Sequence, residues 1–305
     1  MLKYSVFKKD GTAQGVAKQR LIESLAKPDQ RIIYDPYAKN FVLGSTMIKI
    51  IGHRMNLWLT DKIAPGFHQH LISRARLIDD LVEEKCSGGE IEQYVILGAG
   101  YDVRAHRLKL PRSMKVFEVD LAQVQQRKLS KLPRNLPNFE NVTYVKMNFN
   151  NSKLAKELTH AGYDNTKPTI FTLEGVCQYI TKDAFISTLR EVEKITKKTD
   201  ATLFISYVDK LLNENPSACF GSGYSNPKKK VEIIKRLSAK AGEPWISFYS
   251  VNEFENILSK HGFSISEDKN VAELNDKYFA PVGRTIPEHE IFKLEHFVVA
   301  ESNYS

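Results

Sequence analysis

The chain has 305 residues, of which 42% are apolar and 26% charged, and its formal net charge is +8 at pH 7. These values are ordinary for a folded protein of one large α/β domain, and they exclude a chain that is mainly disordered. No apolar run approaches the ~20 residues of a membrane-spanning helix, since the longest candidate, Phe41 to Ile51, is short and contains Lys49.

The first ~85 residues are predicted to be mainly helical. The first ten reach charged residues too early for a secretory signal, so we expect a cytoplasmic protein. Apolar residues recur at helical spacing from Ala13 to Leu25 and again from Leu71 to Leu81. Between these helices lies a turn at Tyr34–Tyr37, in which Pro36 suits the first position of the next helix. We therefore predict a helical cap over residues 1–89.

From Gln93 onward the pattern changes to an alternation of strands and helices. Runs rich in β-branched and aromatic residues predict strands at Gln93–Leu97, Lys115–Val119, Val142–Lys146, Thr169–Glu174, Ala201–Tyr207, Phe263–Glu267 and Leu294–Ala300. Helices are predicted between most of them, for example at Leu121–Lys131, Lys153–Ala161 and Lys182–Lys197. This alternation is typical of an α/β fold with a parallel sheet and helices on both faces. We assign residues 90–208 and 244–305 to this core and treat the chain as a single domain.

The stretch from Asp209 to Glu243 interrupts the alternation and is predicted to form a lid insertion, because its Asn-Pro and Gly-Ser-Gly sequences are typical of turns. The densest run of cations lies here, at Lys228–Lys230 with Lys235 and Arg236, and no aromatic residues are interleaved with it. We interpret this run as a solvated helix face, with a surface for an anionic substrate or partner as the alternative, and expect no nucleic-acid and no membrane partner. The three cysteines lie far apart in the chain, which predicts neither a disulfide nor a metal site.

The most informative segment is Gly98-Ala99-Gly100, the turn that follows the first predicted strand. Glycines are needed where a chain turns sharply and a ligand approaches its backbone. About 20 residues later the next strand ends at Asp120, whose carboxylate can then accept hydrogen bonds from both hydroxyls of a ribose. Val103 occupies the place of the third glycine of dinucleotide-binding turns. The pattern favours a nucleoside without a pyrophosphate, most commonly S-adenosylmethionine, over NAD; a plain strand–turn–helix is the alternative.

Five segments form a combination that is specific, although each alone is common. They are Arg74-Ala-Arg76-Leu-Ile-Asp79, Leu97-Gly-Ala-Gly-Tyr-Asp-Val-Arg-Ala-His-Arg107, Phe117-Glu-Val-Asp120, Leu173-Glu-Gly-Val176 and Gly242-Glu-Pro-Trp245. Together they resemble the leucine carboxyl methyltransferase family and its bacterial and fungal small-molecule branch, over roughly Thr12 to Ala300. The resemblance implies a seven-stranded Rossmann-like sheet of the class I methyltransferases, with S-adenosylmethionine as the methyl donor.

The same resemblance implies that Arg74 contacts the methionine carboxylate of the donor, with Arg20 as a second cation. Arg74 lies between Leu71 and Ile78 on the inward face of its helix, where an arginine is costly unless it meets an anion. The alternative for Arg74 is an internal ion pair with an aspartate at position 79, 102 or 120. For Arg20, an ion pair or a surface position is an equal alternative.

The other donor contacts are expected at the carboxyl ends of the strands. Asn148 and Phe149 follow the third strand, where they can bind adenine or simply form a turn. Glu174, followed by Gly175, can accept from the donor's ammonium group, and Asp102 can cap a helix or hold Arg74. The predicted donor-binding residues are Arg20, Arg74, Gly98, Ala99, Gly100, Asp102, Asp120, Leu121, Asn148, Phe149, Glu174 and Gly175.

Methyl transfer from a sulfonium is an in-line displacement, for which a protein supplies alignment and a dry site. A carboxylate acceptor is ionised at neutral pH and needs no general base, and no His–Asp pair stands out in the sequence. A phenolic acceptor needs a base, and Tyr179 and Tyr207 are the predicted catalytic residues. We expect an O-methyltransferase of small molecules that carry a carboxylate or a phenol. A protein C-terminal carboxylate as acceptor, an NAD-dependent oxidoreductase and a non-catalytic nucleotide-binding module are the alternatives.

Overall fold

The computed structural model describes residues 11–149 and 153–303. The first ten residues, from which no secretory signal is predicted, lie outside this part of the chain. The described residues form two compact units. The first comprises the residues up to Leu77 with Lys210–Trp245 and Lys269–Glu295, and the second comprises Ile78–Asp209, Ile246–Asp268 and the residues from His296 onward. Residues 269–295, predicted above as part of the core, thus group with the predicted cap and insertion, and the single-domain organisation stays a prediction.

Helices occupy most of the chain before the first strand and then alternate with strands. In chain order the α-helices of the described residues are α1 (Gly11–Ser24), α2 (Ala38–Phe41), α3 (Ser45–Ile51), α4 (His53–Ile63), α5 (Phe67–Ser87), α6 (Arg104–Arg107), α7 (Ala122–Lys131), α8 (Leu154–His160), α9 (Lys182–Thr196), α10 (Leu211–Glu214), α11 (Pro227–Lys240), α12 (Val251–Lys260) and α13 (Val271–Leu274). Of the four apolar positions of α5 whose spacing predicts an inward face, Leu71, Ala75 and Ile78 are buried, whereas Leu81 is half-buried.

Seven strands form one sheet. They are β1 (Gln93–Leu97), β2 (Lys115–Asp120), β3 (Val142–Lys146), β4 (Thr169–Leu173), β5 (Ala201–Val208), β6 (Phe263–Lys269) and β7 (Glu295–Ser302), in the spatial order β3-β2-β1-β4-β5-β7-β6. The first five are parallel, and Val95 of β1 lies opposite Phe117 of β2 and Phe171 of β4. The strand order reverses between β1 and β4, which is where open sheets of this kind bind ligands, beyond the carboxyl ends of the strands.

The last strand runs antiparallel to β5. The amide of Ala201, at the start of β5, donates to the hydroxyl of Ser302 at the end of β7 (2.9 Å), whereas Asp209, just beyond β5, contacts His296 near the start of β7. The start of β7 therefore lies at the same edge of the sheet as the carboxyl ends of the parallel strands. This edge is called the carboxyl edge below.

The predicted strands are all present, with bounds that differ by at most two residues, as at Lys269 in place of Glu267. One helix start is wrong: the helix expected to begin at Pro36 begins at Ala38. The reason is that the Asp35 carboxylate accepts hydrogen bonds from the amides of Tyr37 and Ala38 (both 2.9 Å), which fixes a turn before the helix. The helix after the glycine turn, α6, is a single turn of four residues.

Aromatic rings form the centre of the second unit's core. The Tyr207 ring of β5 stacks on Phe254 of α12 with ring centroids 4.0 Å apart, and Phe254 stacks on Phe185 of α9 at 5.4 Å. All three side chains are fully buried, as is Cys177, which therefore packs as a small apolar residue. These contacts attach two helices to the middle of the sheet.

The hydropathy of the helices is consistent with the sequence. Among the described residues, no helix combines the length and apolar character that crossing a bilayer requires. The cation-rich run of the insertion lies on α11, where Lys228 and Lys229 are exposed to solvent, as expected for a solvated helix face.

Replacing Phe254 by Ala is expected to lower the free energy of unfolding by about 3–5 kcal/mol. The reason is that it opens a cavity between the rings of Phe185, Tyr207 and Tyr249. Urea unfolding followed by circular dichroism measures this. Phe139→Ala is the matched control, since Phe139 is 47% exposed and its loss creates no buried cavity. Equal effects of the two changes would contradict the assignment of Phe254 to the core.

Candidate functional site

The glycine turn after β1 needs its glycines. Gly98 has φ +71° and Gly100 has φ +46°, both in the left-handed region that favours glycine. A Cβ atom at Gly98 would lie 2.5 Å from a methyl carbon of Val176, which is closer than any real contact. The amide of Gly98 donates to the carbonyl of Val119 (2.8 Å) and so joins the turn to β2. Glycine is therefore needed at position 98, because Val176 packs against the backbone there.

Asp120 lies beside this turn, as its spacing in the sequence predicts. Its carboxylate accepts one hydrogen bond from the amide of Gly100 and one from the amide of Leu121, both 2.6 Å, on different oxygens. Burial raises the pKa of Asp120 above its ordinary value, and these two amides oppose that rise by stabilising the charged form. Each carboxylate oxygen keeps a lone pair after accepting one amide. The geometry is that of a held carboxylate that can accept two further hydrogen bonds.

Arg104 organises the carboxylates around the turn, and sequence reasoning missed this role. The buried guanidinium donates to Asp102 through Nη1 (2.5 Å), to Glu174 through Nη1 (2.6 Å) and to Asp79 through Nε (2.8 Å). Arg107 donates to the same Asp79 oxygen at 2.6 Å. Three carboxylates thus share two guanidinium groups, so this network has a formal net charge of −1. We call it the Arg104 network.

The charges in this network are mutually stabilised. Burial alone would lower the pKa of Arg104, but the carboxylates of Asp102, Glu174 and Asp79 raise it well above its ordinary value. Burial alone would raise the pKa of Asp102, and the Arg104 guanidinium holds that pKa below its ordinary value instead. The groups therefore remain ionised although they are withdrawn from water.

Asp102 and Glu174 have other partners than a ligand. Asp102 accepts the amide hydrogen of Arg104, two residues on (2.7 Å), which forms an Asx turn just before α6, and its two predicted roles, capping a helix and holding Arg74, stay predictions. Glu174, just beyond β4, is one of the three carboxylates that Arg104 binds. The amide of Gly175 (φ +63°) donates to the hydroxyl of Ser206 at 2.8 Å. The predicted contact of Glu174 with an ammonium group stays a prediction.

The two predicted cations of the first unit each bind an internal carboxylate. Arg20 donates through Nε to Asp35 (2.8 Å), the alternative that the sequence left open. Arg74 donates through Nη1 to Glu295 (2.5 Å), which also contacts Nε2 of His70 at 3.1 Å. Burial would raise the pKa of Glu295, but Arg74 and His70 lower it to about 2. An arginine on an inward helix face does meet an anion, and that anion is Glu295, which the sequence did not single out.

Asn148 and Phe149 follow β3 and are both half-buried. The amide of Met147 donates to the carbonyl of Asp120 (2.9 Å), which joins this segment to the end of β2. Phe149 packs against the core of the second unit. Asn148 and Phe149 therefore directly follow Met147, whose amide is bonded to Asp120. Their contact with adenine stays a prediction.

The surroundings of Tyr207 do not favour the catalytic role predicted for it. Its side chain is completely buried among aromatic rings, and this burial raises the pKa of its hydroxyl far above the ordinary value. A phenol in that state does not give up its proton near neutral pH. Tyr179 lies in a short 3₁₀ turn, Cys177–Tyr179, and is half-buried, so its catalytic role stays a prediction.

His296 forms a cluster at the carboxyl edge that the sequence did not reveal. Its Nδ1 contacts Asp268 at the end of β6 (2.7 Å), and its Nε2 contacts Asp209 beyond β5 (3.2 Å). Its ring stacks on Tyr207 with centroids 4.9 Å apart. Burial would lower the pKa of His296, but the two carboxylates raise it to about 9, so the ring is a cation at neutral pH. The three residues are far apart in the chain, and only the pairing of β7 with its neighbours brings them together.

A second polar cluster lies in the first unit, around the buried Glu23 of α1. Glu23, His53 and His68 have ligand atoms close enough to hold a metal ion. However, Arg284 donates to both oxygens of Glu23 (2.7 and 3.0 Å), and His68 and the amide of Ile32 also bind this carboxylate. A guanidinium on the carboxylate opposes a second cation there, so the cluster is best explained as an internal ion pair.

The family model described as leucine carboxyl methyltransferase matches residues 13–193. A Bacillus subtilis protein named "Putative S-adenosyl-L-methionine-dependent methyltransferase YktD" is 33% identical over 62% of this chain and 59% of its own length. A Rhodococcus jostii protein of the same description is 31% identical over 67% of this chain and 72% of its own. The chain spans less than two thirds of the length of several such relatives, 59% for the Bacillus protein.

Two crystal structures share the fold. A DUF574 family protein from Streptomyces avermitilis superposes with a TM-score of 0.58 at 15% identity, covering 93% of this chain and 96% of that one. A protein from Thermobifida fusca gives a TM-score of 0.56 at 14% identity, covering 93% and 94%. At these identities the likeness is one of fold, and it agrees with the predicted seven-stranded α/β sheet.

The His296 cluster predicts a pH-dependent stability. The folded pKa of about 9 exceeds the unfolded value of about 6.5, so the stabilisation is complete below pH ~6.5 and is lost as the pH rises through ~9. Relative to His296→Gln, the native chain should be more stable at pH 6, by about 3 kcal/mol at most, and this difference should disappear by pH ~10. Urea midpoints measure it, with His160→Gln at an exposed histidine as control. A difference that is constant with pH would contradict the charged state of His296.

Proposed function

The chain belongs to the leucine carboxyl methyltransferase family, and from this premise we propose that it transfers a methyl group from S-adenosylmethionine to an oxygen atom of a small-molecule acceptor. The observation that carries the proposal is the Gly98–Gly100 turn, whose own amide holds the Asp120 carboxylate. Its relatives are named for the same donor.

The residues around the turn fit this donor. Asp120 keeps one lone pair on each oxygen for the two ribose hydroxyls, because each oxygen has accepted one amide. Gly98 and Gly100 have the positive φ angles with which the turn brings the Gly100 amide to Asp120. The carboxylates of Asp102, Glu174 and Asp120 lie around the turn. The cations Arg104, Lys128 and Arg127 offset part of their negative charge. The carboxylates can attract a cationic ligand such as a sulfonium with an ammonium group.

The contact of Arg74 and Arg20 with the carboxylate of the donor stays a prediction. Each guanidinium is held by an internal carboxylate, Arg74 by Glu295 and Arg20 by Asp35.

The bound donor supplies a methyl carbon that its sulfonium has already activated, so the chain has to orient the acceptor and keep water out. Proton removal is the step that separates the two acceptor classes, since a phenol must lose a proton and a carboxylate has none to lose. Tyr207 is buried with a raised pKa, and His296 holds its proton between Asp268 and Asp209. Neither side chain is suited to accept a proton at neutral pH, which leaves Tyr179 as the predicted base for a phenol. Both observations support a carboxylate acceptor over a phenol.

Replacing Asp120 by Ala should weaken the binding of S-adenosylhomocysteine by about 1–3 kcal/mol, because charge-assisted hydrogen bonds to the ribose are lost. Isothermal titration calorimetry measures the affinity. Asp200→Ala is the matched control, since Asp200 is exposed and lies before β5, away from the carboxyl edge. Unchanged affinity in the Asp120 variant would show that this carboxylate does not bind the ribose, and tight binding of NAD would favour an oxidoreductase.

A screen of carboxylic acids and phenols with a labelled methyl donor tests the acceptor class. We expect transfer to carboxylic acids, with a rate that is nearly independent of pH between ~6 and ~9, because the acceptor is ionised throughout this range. Transfer to phenols alone, with a rate that rises with pH, would overturn the carboxylate assignment. Transfer only to a peptide that ends in a free carboxylate would identify a protein acceptor instead.

A further inference from the structure

The surface formed by α3, α4 and Leu43, which lies just before α3, is unusually apolar. Of the fifteen large apolar side chains that are exposed among the described residues, eight lie between positions 43 and 63. They are Leu43, Met47, Ile50, Ile51, Met55, Trp58, Leu59 and Ile63. We call these eight residues the α3–α4 face. Single exposed apolar side chains are common, but eight within 21 residues form a patch of the kind that marks an interaction site.

The spacing of these residues puts them on one side of each helix. Within α3, Met47, Ile50 and Ile51 are three positions apart or adjacent, and within α4 the intervals from Met55 to Ile63 are three, one and four, which is the spacing of one helix face. The opposite face of the two helices is buried and carries Ile48 in α3 and Asn56 and Thr60 in α4. The side-chain amide of Asn56 donates to the carbonyls of Ile48 (2.8 Å) and Gly52 (2.6 Å), which ties α4 to α3. In α4 the buried positions, Asn56 and Thr60, are thus polar, and four of the six exposed ones are apolar, which is unusual for a helix that faces water.

The exposed charges in the same segment are all positive. Lys49, Arg54 and Lys62 are exposed, whereas the only acid, Asp61, is half-buried, and burial raises its pKa. The Lys62 ammonium lies 3.9 Å from the centroid of the Trp58 ring, so a cation and an aromatic ring stand together at the surface. Exposed apolar residues, an aromatic ring and flanking cations on one helical surface are the features of helices that lie in a membrane interface.

Charge decides between the two simplest occupants of this surface. A second copy of the chain, docked face to face about a two-fold axis, would place a surface whose exposed charges are all positive against itself, and like charges at an interface oppose association. A bilayer that contains anionic phospholipid offers acyl chains for the apolar side chains and phosphates for the cations. We propose that the α3–α4 face binds the surface of an anionic phospholipid bilayer.

In this arrangement the two helices lie in the plane of the interface and do not cross it. The apolar side chains enter the boundary between headgroups and acyl chains, and Lys49, Arg54 and Lys62 meet the phosphates. This differs from the expectation of no membrane partner, which rested on the absence of a spanning segment. The inference does not depend on the proposed methyl transfer, because it concerns only residues 43–63.

Sedimentation of the full chain with vesicles tests the proposal. Vesicles of equal parts phosphatidylglycerol and phosphatidylcholine should bind the protein, and vesicles of phosphatidylcholine alone should bind it far more weakly. Binding should fall when salt is raised from ~0.1 M to ~1 M, because the screening length shortens from about 10 Å to about 3 Å. Circular dichroism of every variant confirms that its fold is retained.

Two sets of variants separate the apolar and the electrostatic contributions. Ile50→Asp with Ile63→Asp changes side chains that are 74% and 69% exposed and should abolish binding without affecting the fold. Neutralising Lys49, Arg54 and Lys62 with Gln should lower the partition coefficient by roughly fivefold for each cation removed. The matched control is Leu237→Asp with Ile246→Asp, at exposed apolar residues outside the α3–α4 face, which should bind vesicles normally.

Three outcomes would overturn the proposal. The first is failure of the native chain to bind either kind of vesicle. The second is equal loss of binding in the control variant, which would show that the α3–α4 face has no special role. The third is a dimer, detected by sedimentation equilibrium in the absence of vesicles, that Ile50→Asp with Ile63→Asp dissociates, because that result would assign the face to a second copy of the chain.

Discussion

The buried guanidinium of Arg104 connects three segments that are distant in the chain. It binds Asp79 in α5, Asp102 in the turn after β1 and Glu174 at the end of β4. A buried arginine without carboxylates would be very costly, and so would the carboxylates without the arginine. The positions of the glycine turn and of Glu174 therefore depend on one another through this ion-pair network. The candidate donor site is built on this constraint, because its negative charge and its backbone geometry both follow from it.

The same principle operates at the other side of the carboxyl edge. His296 is held between Asp209 and Asp268, and its ring covers the buried Tyr207. The cluster keeps the His296 ring protonated, whereas a general base must be unprotonated before it can accept a proton. In the proposed function the chain therefore relies on an activated donor and an ionised acceptor, and its charged side chains serve to position groups and maintain the fold.

The first unit shows how such ion pairs leave a helix free to expose apolar side chains. Glu23 with Arg284, and Arg74 with Glu295, bury charges in the interior of that unit. Asn56 and Thr60 also turn their polar groups inward, where they bond to backbone carbonyls. The surface of α3 and α4 is consequently apolar and cationic, which is unfavourable in water alone and favourable at an anionic interface.

The sequence by itself determined the strands, the glycine turn and Asp120, because these depend on local periodicity, on glycine at positive φ and on a fixed spacing along the chain. It also determined the family, since the motifs that carry the resemblance are contiguous. Only the tertiary structure decided the partners of Arg74 and Arg104, the burial of Tyr207 and the assembly of His296 with two aspartates. Each of these depends on which strands and helices become neighbours, and a buried charge takes its partner from whatever segment the fold places within hydrogen-bond distance.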